Sequence, residues 1–327
     1  MSILVTGGAG FIGSHLIEHL LATTSEHVVC LDNFNDYYDP AIKRANVARL
    51  FENPRVSLVR GDFCDRDELV DLLETNEVTK IVHLGGYPGV RYSVDHPEIY
   101  QQVNVLGTLA VLEAARATRQ QRVVVVSSST VYGRGASAPF TEDGPLGVPM
   151  SPYGASKRAA ELLALTYCDL HKVPSVCVRL FSVYGPRLRP DLAMSIFAGR
   201  IIRGEPVTLF GDGSVRRDFT HVSDICRGLS AALSTPGIES EIFNLGHNQP
   251  IAMREVIRHL EAGLGRRAIL QTRPGRKEDM PLTHADLNKS QRLLGYEPSV
   301  PFASGCADFC RWYSQTHATP ATHRVAA

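Results

Sequence analysis

Tyr153 and Lys157 stand four residues apart in Tyr153-Gly154-Ala155-Ser156-Lys157, directly after Ser151-Pro152, a pair suited to beginning a helix. On a helix this spacing puts the phenol and the ammonium on one face. A phenol titrating at about pH 10 in water is a poor base at neutrality, and a cation one turn away stabilises its ionised form. The second group of interest is Ser127-Ser128-Ser129-Thr130, at the end of an apolar run that reads as a strand. Its hydroxyls can hydrogen-bond an alcohol and the ketone that alcohol becomes, with turn capping as their competing role. Together the two groups suit proton transfer to and from a carbinol oxygen.

Such chemistry needs a two-electron partner, and the first residues suggest where one binds. Gly7, Gly10 and Gly13 lie in Val-Thr-Gly-Gly-Ala-Gly-Phe-Ile-Gly, after an apolar run and before a helical pattern. This strand-to-helix turn lets backbone N–H groups approach a pyrophosphate at the positive end of a helix, although the same glycines can serve tight packing alone. Asp32 ends the next apolar run, where a carboxylate accepts from both ribose hydroxyls of adenosine and repels a 2′-phosphate, favouring NAD over NADP. Asp62, in Gly61-Asp62-Phe63 after the third run, is placed to reach the adenine edge or to form a turn.

The elements that must position these groups follow from periodicity. Apolar runs at residues 3–6, 27–32, 56–60, 81–84, 122–127 and 175–180 alternate with helical patterns, which predicts βαβ units. Nearly continuous apolarity within the runs predicts a parallel sheet covered by helices on both faces. The expected fold is therefore α/β, a doubly wound parallel sheet (Rossmann) over residues 1–180. Residues 181–327, richer in Gly and Pro punctuation, are expected to form mainly a second, smaller α/β substrate-binding lobe, with elements exchanged between the lobes.

Composition narrows the partners. The 327 residues carry 34 Lys plus Arg and 34 Asp plus Glu, so no net basic field draws nucleic acid or anionic membrane. Seven scattered cysteines without a Cys-x-x-Cys spacing fit reduced structural thiols, and Cys306 and Cys310, four apart, are expected to pack on one helix face rather than bind metal. No apolar run is long enough to cross a bilayer, and no secretory leader is evident, so a cytoplasmic protein is expected.

Taken in order, Gly7/Gly10/Gly13, Asp32, Ser128 and Tyr153/Lys157 resemble the extended short-chain dehydrogenase/reductase family over roughly residues 2–313. The resemblance implies a tightly held NAD reused in each cycle, with Phe11, Ile12, Asn33, Phe63, Leu84, Gly85, Gly86 and Asn104 joining the cofactor side, and a homodimer. Family dehydratases carry an Asp-Glu pair directly after the catalytic hydroxyl residue. Ser129 and Thr130 stand there instead, so oxidation and reduction without elimination is expected.

The resemblance also suggests a substrate. Arg217 and Phe210, and Arg276 with Asp279, match family positions around the diphosphate and uridine of a UDP-sugar, and guanidinium forks suit phosphate oxygens. Ser182 with Arg189-Pro190-Asp191, residues 32–38 and the stretch around Arg91 look like the UDP-glucuronate 4-epimerases, whereas Gly85-Gly86-Tyr87-Pro88 departs from the usual pattern. A 4-keto uronate is a β-keto acid and loses carbon dioxide readily. Arg189, Ser129, Thr130 and Ser182 are the expected polar contacts that hold its carboxylate out of alignment. UDP-glucose 4-epimerase and UDP-glucuronate decarboxylase are the alternative enzymes; a non-catalytic NAD-binding sensor is the alternative from another class.

Overall fold

The computed structural model describes residues 1–275 and 280–317. Strands β1 (Ser2–Thr6), β2 (His27–Asp32), β3 (Val56–Arg60), β4 (Val78–His83), β5 (Arg122–Ser128) and β6 (Ser175–Leu180) arise from the six apolar runs read in the sequence. Three shorter strands, β7 (Ser182–Tyr184), β8 (Pro206–Phe210) and β9 (Arg216–His221), precede β10 (Ile242–Leu245), and β11 (Pro250–Ala252) and β12 (Ile269–Arg273) follow it. The main sheet has the order β10-β6-β5-β4-β1-β2-β3, and every pair in it is parallel. Residues 123–126, all valine, and Ile3, Leu4 and Val5 are almost fully buried, as expected of strands covered on both faces.

The strand order reverses direction between β1 and β4, so the loops leaving β1, β2, β4 and β5 open a crevice at the carboxyl end of the sheet. Every residue type singled out above for cofactor or acid–base chemistry lies at or near that edge. The seventh strand comes from far along the chain: β10 pairs with β6 from Ile242 opposite Cys177 to Leu245 opposite Leu180. The helix Val222–Ser234 likewise packs against the helix Phe11–Thr23 and against β4, β5 and β6. Residues after 181 thus complete the main sheet as well as forming the smaller sheets β11-β9-β7 and β12-β8. The Phe302–Thr316 helix buries Cys306 and Cys310 in the core, on the face where their spacing placed them.

Two helix starts set the site. Ser151 caps the helix Pro152–His171 by accepting from the Gly154 N–H at 3.1 Å, with Pro152 in the first turn. The helix Phe11–Thr23 begins at Gly10 with no side-chain cap. Its first internal bond runs from Ser14 N–H to Gly10 carbonyl at 3.1 Å, so the N–H groups of Phe11, Ile12 and Gly13 have no partner within the helix.

Candidate active site

At the end of β1 the chain turns at Gly7, whose φ of +67° lies in the left-handed region, and Gly7 approaches the backbone of Gly85 so closely that a Cβ would sit 3.0 Å from its Cα. Gly13 is more constrained: a Cβ there would stand 2.4 Å from the Gly7 carbonyl oxygen and 2.7 Å from the Gly8 Cα. These contacts let the helix N-terminus close against the turn. The three open N–H groups there form an anion site at the positive end of the helix dipole. Phe11 is buried with its ring edge-on to His15, so it and Ile12 offer this site their backbone N–H groups.

Asp32 ends β2 with its carboxylate buried. Oδ2 accepts from Ala9 N–H at 3.2 Å and Oδ1 from Phe34 N–H at 2.8 Å, while the Lys43 ammonium lies 3.5 Å from Oδ1. Oδ1 has both acceptor positions taken, and Oδ2 keeps a further one for a ribose hydroxyl. Asn33 Nδ2 donates to Asp62 Oδ2 at 3.1 Å, and Asp62 Oδ1 accepts from Cys64 N–H at 2.9 Å, so Asp62 shapes its own turn as well as lining this edge. Phe63 is turned inward, its ring centred 4.9 Å from that of His83. Sequence reasoning passed over Lys43 and His83. Lys43 also donates to Asn35 Oδ1 at 3.1 Å. His83, kept neutral by burial and by the Lys157 charge, bonds Thr6 Oγ1 at 2.8 Å and Thr108 Oγ1 at 3.1 Å; Thr6 Oγ1 in turn accepts from Gly85 N–H at 3.0 Å.

Leu84, Gly85 and Gly86 follow β4 and face the other half of the site. A Cβ at Gly86 would lie 2.9 Å from Asn104 Oδ1 and 3.4 Å from Lys157 Nζ. Asn104 sits in a π-helical turn, Gln101–Leu106, a form that recurs at functional sites. It accepts from Tyr87 N–H at 2.7 Å and donates to the Tyr87 carbonyl and to Ser156 Oγ, each at 3.0 Å. Tyr87, directly after residues 84–86, is thereby tied through Asn104 to the helix that carries Tyr153 and Lys157.

The acid–base groups converge where β5 ends. Ser128 Oγ accepts from both Thr130 N–H, at 3.2 Å, and Thr130 Oγ1–H, at 3.0 Å. With both acceptor positions filled, its single proton is free to serve the Tyr153 phenol, whose pKa it lowers. Burial raises the Tyr153 pKa above the ordinary phenol value, while the Ser128 bond and the Arg189 charge draw it down. Lys157 donates to the Val126 carbonyl at 2.9 Å; burial lowers its pKa to about 8, opposed by the carboxylate of Glu161. The ammonium is therefore bonded to β5 rather than directly to Tyr153.

Beneath this triad is a buried ion pair absent from the sequence reading. Glu161 takes a fork from Arg179 Nε and Nη2, each at 2.9 Å, and a third bond from Ser127 Oγ at 2.5 Å. Its spacing of four from Lys157 was the available signal.

Among the groups expected to meet substrate, Arg189 reaches the Tyr153 phenol electrostatically, and Ser129 and Thr130 lie beside Ser128 in one short turn. Ser182 opens β7, opposite Phe219 of β9. The structure also brings Arg91 to Phe210, with the guanidinium carbon 5.6 Å from the ring centre. Arg217 donates to the carbonyls of Arg216, at 3.0 Å, and Met280, at 2.6 Å. Arg276 and Asp279 lie outside the described residues.

Comparison with known proteins agrees with this geometry. Residues 3–246 match the model of the NAD dependent epimerase/dehydratase family. UDP-glucuronate 4-epimerase 4 of Arabidopsis thaliana is 37% identical over 96% of this chain and 75% of its own length. The UDP-glucuronate 4-epimerase of Thermodesulfobacterium geofontis is 37% identical over 94% and 95%. A crystal structure of UDP-glucuronic acid 4-epimerase from Bacillus cereus, in complex with UDP-glucuronic acid and NAD, superposes with a TM-score of 0.92 at 35% identity, covering 97% of this chain and 100% of that one. Matched over most of its length, the chain belongs to the NAD dependent epimerase/dehydratase family.

Proposed function

We infer that this chain is a UDP-glucuronate 4-epimerase, interconverting UDP-glucuronate and UDP-galacturonate with NAD as its resident cofactor. The observation that carries the reading is the meeting of Ser128, Tyr153 and Arg189 in one place: a donor and a phenol for the C4 carbinol, and a guanidinium beside them for the carboxylate borne by the next ring carbon. The named relatives at 37% identity and the Bacillus cereus complex support it.

The glycine turn with Gly7, Gly10 and Gly13, the N–H groups of Phe11 and Ile12, and the cluster of Asp32, Asn33, Asp62 and Phe63 would hold the adenosine and diphosphate half of NAD. Leu84, Gly85, Gly86, Asn104, Tyr153 and Lys157 would border its other half. NAD, when bound, supplies the two-electron acceptor and then the donor at C4. Tyr153 takes the proton of the C4 hydroxyl, Ser128 donates to the oxygen as it becomes a ketone, and the Lys157 charge favours the phenolate. After the 4-keto sugar turns over, Tyr153 returns its proton on the opposite approach. Arg189, Ser129, Thr130 and Ser182 hold the carboxylate, and Arg91, Phe210, Arg217, Arg276 and Asp279 hold the uridine diphosphate. Residues 1–180 thus serve chiefly the cofactor and 181–327 chiefly the sugar nucleotide.

The test is incubation with UDP-glucuronate, without added reductant, followed by NMR of the sugars and capture of carbon dioxide. UDP-galacturonate without carbon dioxide is the expected result. An untouched uronate beside interconverted UDP-glucose and UDP-galactose would overturn the substrate.

We further propose a cytoplasmic homodimer. Leu106, Leu162 and Leu170, 59%, 59% and 67% exposed, lie on the packed helical segments 101–117 and 152–171, which favours a helix-bundle interface. All seven cysteines are free, in keeping with a reducing compartment, and among the described residues no helix is long and apolar enough to cross a membrane. Sedimentation at micromolar concentration would show twice the chain mass; a monomer would refute the dimer.

A further inference from the structure

Arg189 does not stand alone at the mouth of the site. Its Nε donates to Asp191 Oδ1 and its Nη2 to Asp191 Oδ2, each at 2.9 Å, the fork-to-fork geometry that fixes the plane of a guanidinium. Among the described residues no partner accepts from Nη1, so the edge away from Asp191 keeps its donors. Asp191 is itself anchored: Tyr37 Oη donates to Oδ2 at 3.3 Å across 154 residues of chain. Tyr37 belongs to a wall of rings. It meets Tyr87 at 5.5 Å, Tyr87 meets Tyr100 at 5.9 Å, and Tyr100 meets the catalytic Tyr153 at 6.0 Å, all edge to face. The side chains of Arg189 and Asp191 are 20% and 31% exposed, enough contact with water for an unpaired arginine to sample many rotamers.

We propose that Asp191, anchored by Tyr37, is a positioning and specificity-determining residue that locks the Arg189 guanidinium with its outer edge turned to the C6 carboxylate of the sugar. The pairing removes rotamer freedom before the uronate arrives, so less binding energy goes into ordering the side chain. The Arg189 bond and charge hold the Asp191 carboxyl below its ordinary range even though burial pushes it up, so the pair is ionised at neutral pH. This inference rests on the uronate reading above.

Its test is Asp191→Asn, which keeps the shape but gives up the charge and one acceptor of the fork, with Tyr37→Phe as a milder second variant. Steady-state constants with UDP-glucuronate and with UDP-glucose are measured beside the amount of NAD retained on purification. The expected result for Asp191→Asn is a KM for UDP-glucuronate raised about 10-fold, the scale of one charge-assisted bond, with kcat changed far less. Retained NAD and any constants for UDP-glucose stay near the wild-type values, and Tyr37→Phe moves the uronate KM the same way by a smaller factor. An unchanged or lowered KM for the uronate would overturn the inference, since Asp191 would then be idle or a competitor for Arg189. Equal losses with both sugars, or with retained NAD, would overturn it in favour of a folding role. Wild-type protein inactive on UDP-glucuronate removes the substrate reading and this inference with it; active wild type beside an indifferent variant removes this inference alone.

Discussion

Replacing Ser128 by Ala removes one oxygen from the centre of the site, and its consequences can be worked from three bonds. Ser128 Oγ accepts twice from Thr130, at 3.2 and 3.0 Å, which leaves its one proton to serve the Tyr153 phenolate before the C4 proton is taken and the C4 oxygen after it. A hydrogen bond to a charged partner contributes about 1.5–3 kcal/mol. Deleting the one that stabilises the phenolate should therefore cost roughly 10- to 150-fold in kcat. The same bond draws the Tyr153 pKa down, because it favours the charged form. Its loss must raise that pKa, moving the acid limb of the pH–rate profile upward by about 1–2 units, since one unit corresponds to about 1.4 kcal/mol. Rate loss at neutral pH and limb displacement are thus two readings of one energy. The assay is the initial rate on UDP-glucuronate between about pH 6 and 10, with bound NAD measured in parallel. A kcat within threefold of wild type, or a large loss with an unmoved limb, would refute the assignment of the Ser128 proton to Tyr153.

Tyr153→Phe should retain bound NAD, because its backbone and Lys157 stay in place, yet lose turnover by several orders of magnitude; activity above a small fraction of wild type would remove Tyr153 as the base. Wild-type activity should fall at alkaline pH as Lys157, held at about 8, gives up its charge. The direction follows from burial lowering a basic group, so the charged form is present below that pH and lost above it, and Lys157→Met should abolish this limb along with most of the rate. Gly13→Ala should lower stability by about 1–3 kcal/mol and the retained NAD with it. Its Cβ would stand 2.4 Å from the Gly7 oxygen, and neither backbone segment can move aside cheaply; an unaltered melting temperature and NAD content would refute the close packing.

Much of the site was readable in the chain because its parts are local. Tyr153 and Lys157 share a helix, Gly7, Gly10 and Gly13 share a turn, and the hydroxyl cluster ends a strand, so spacing alone placed each group on its element. Most of the six early strands were legible for a related reason: buried parallel strands are apolar along most of their length, whereas β3, at the sheet edge, buries none of its residues and is marked only by Val56, Leu58 and Val59. The run at residues 81–84 was read three residues late, since β4 spans Val78–His83 and begins with Val78-Thr79-Lys80, whose polar members weaken the apolar signal. Side-chain direction was less legible. Phe11 and Phe63 follow glycine-rich or acidic turns that suit a cofactor, but both rings turn into the core, which only the packing of neighbouring elements decides.

The sequence by itself determined the chemistry on offer: a phenol, an ammonium and a hydroxyl in fixed local registers, a glycine turn for a diphosphate, and no net charge to recruit other partners. Tertiary structure alone decided which distant groups complete it. Asp191 meets Tyr37 across 154 residues, Arg179 and Ser127 from neighbouring strands both donate to Glu161, and β10 closes the sheet from the second half of the chain. None of these pairs has a sequence period. Each exists because helices pack back on a parallel sheet and return chain segments to its carboxyl edge, where loops from separate units are forced into contact.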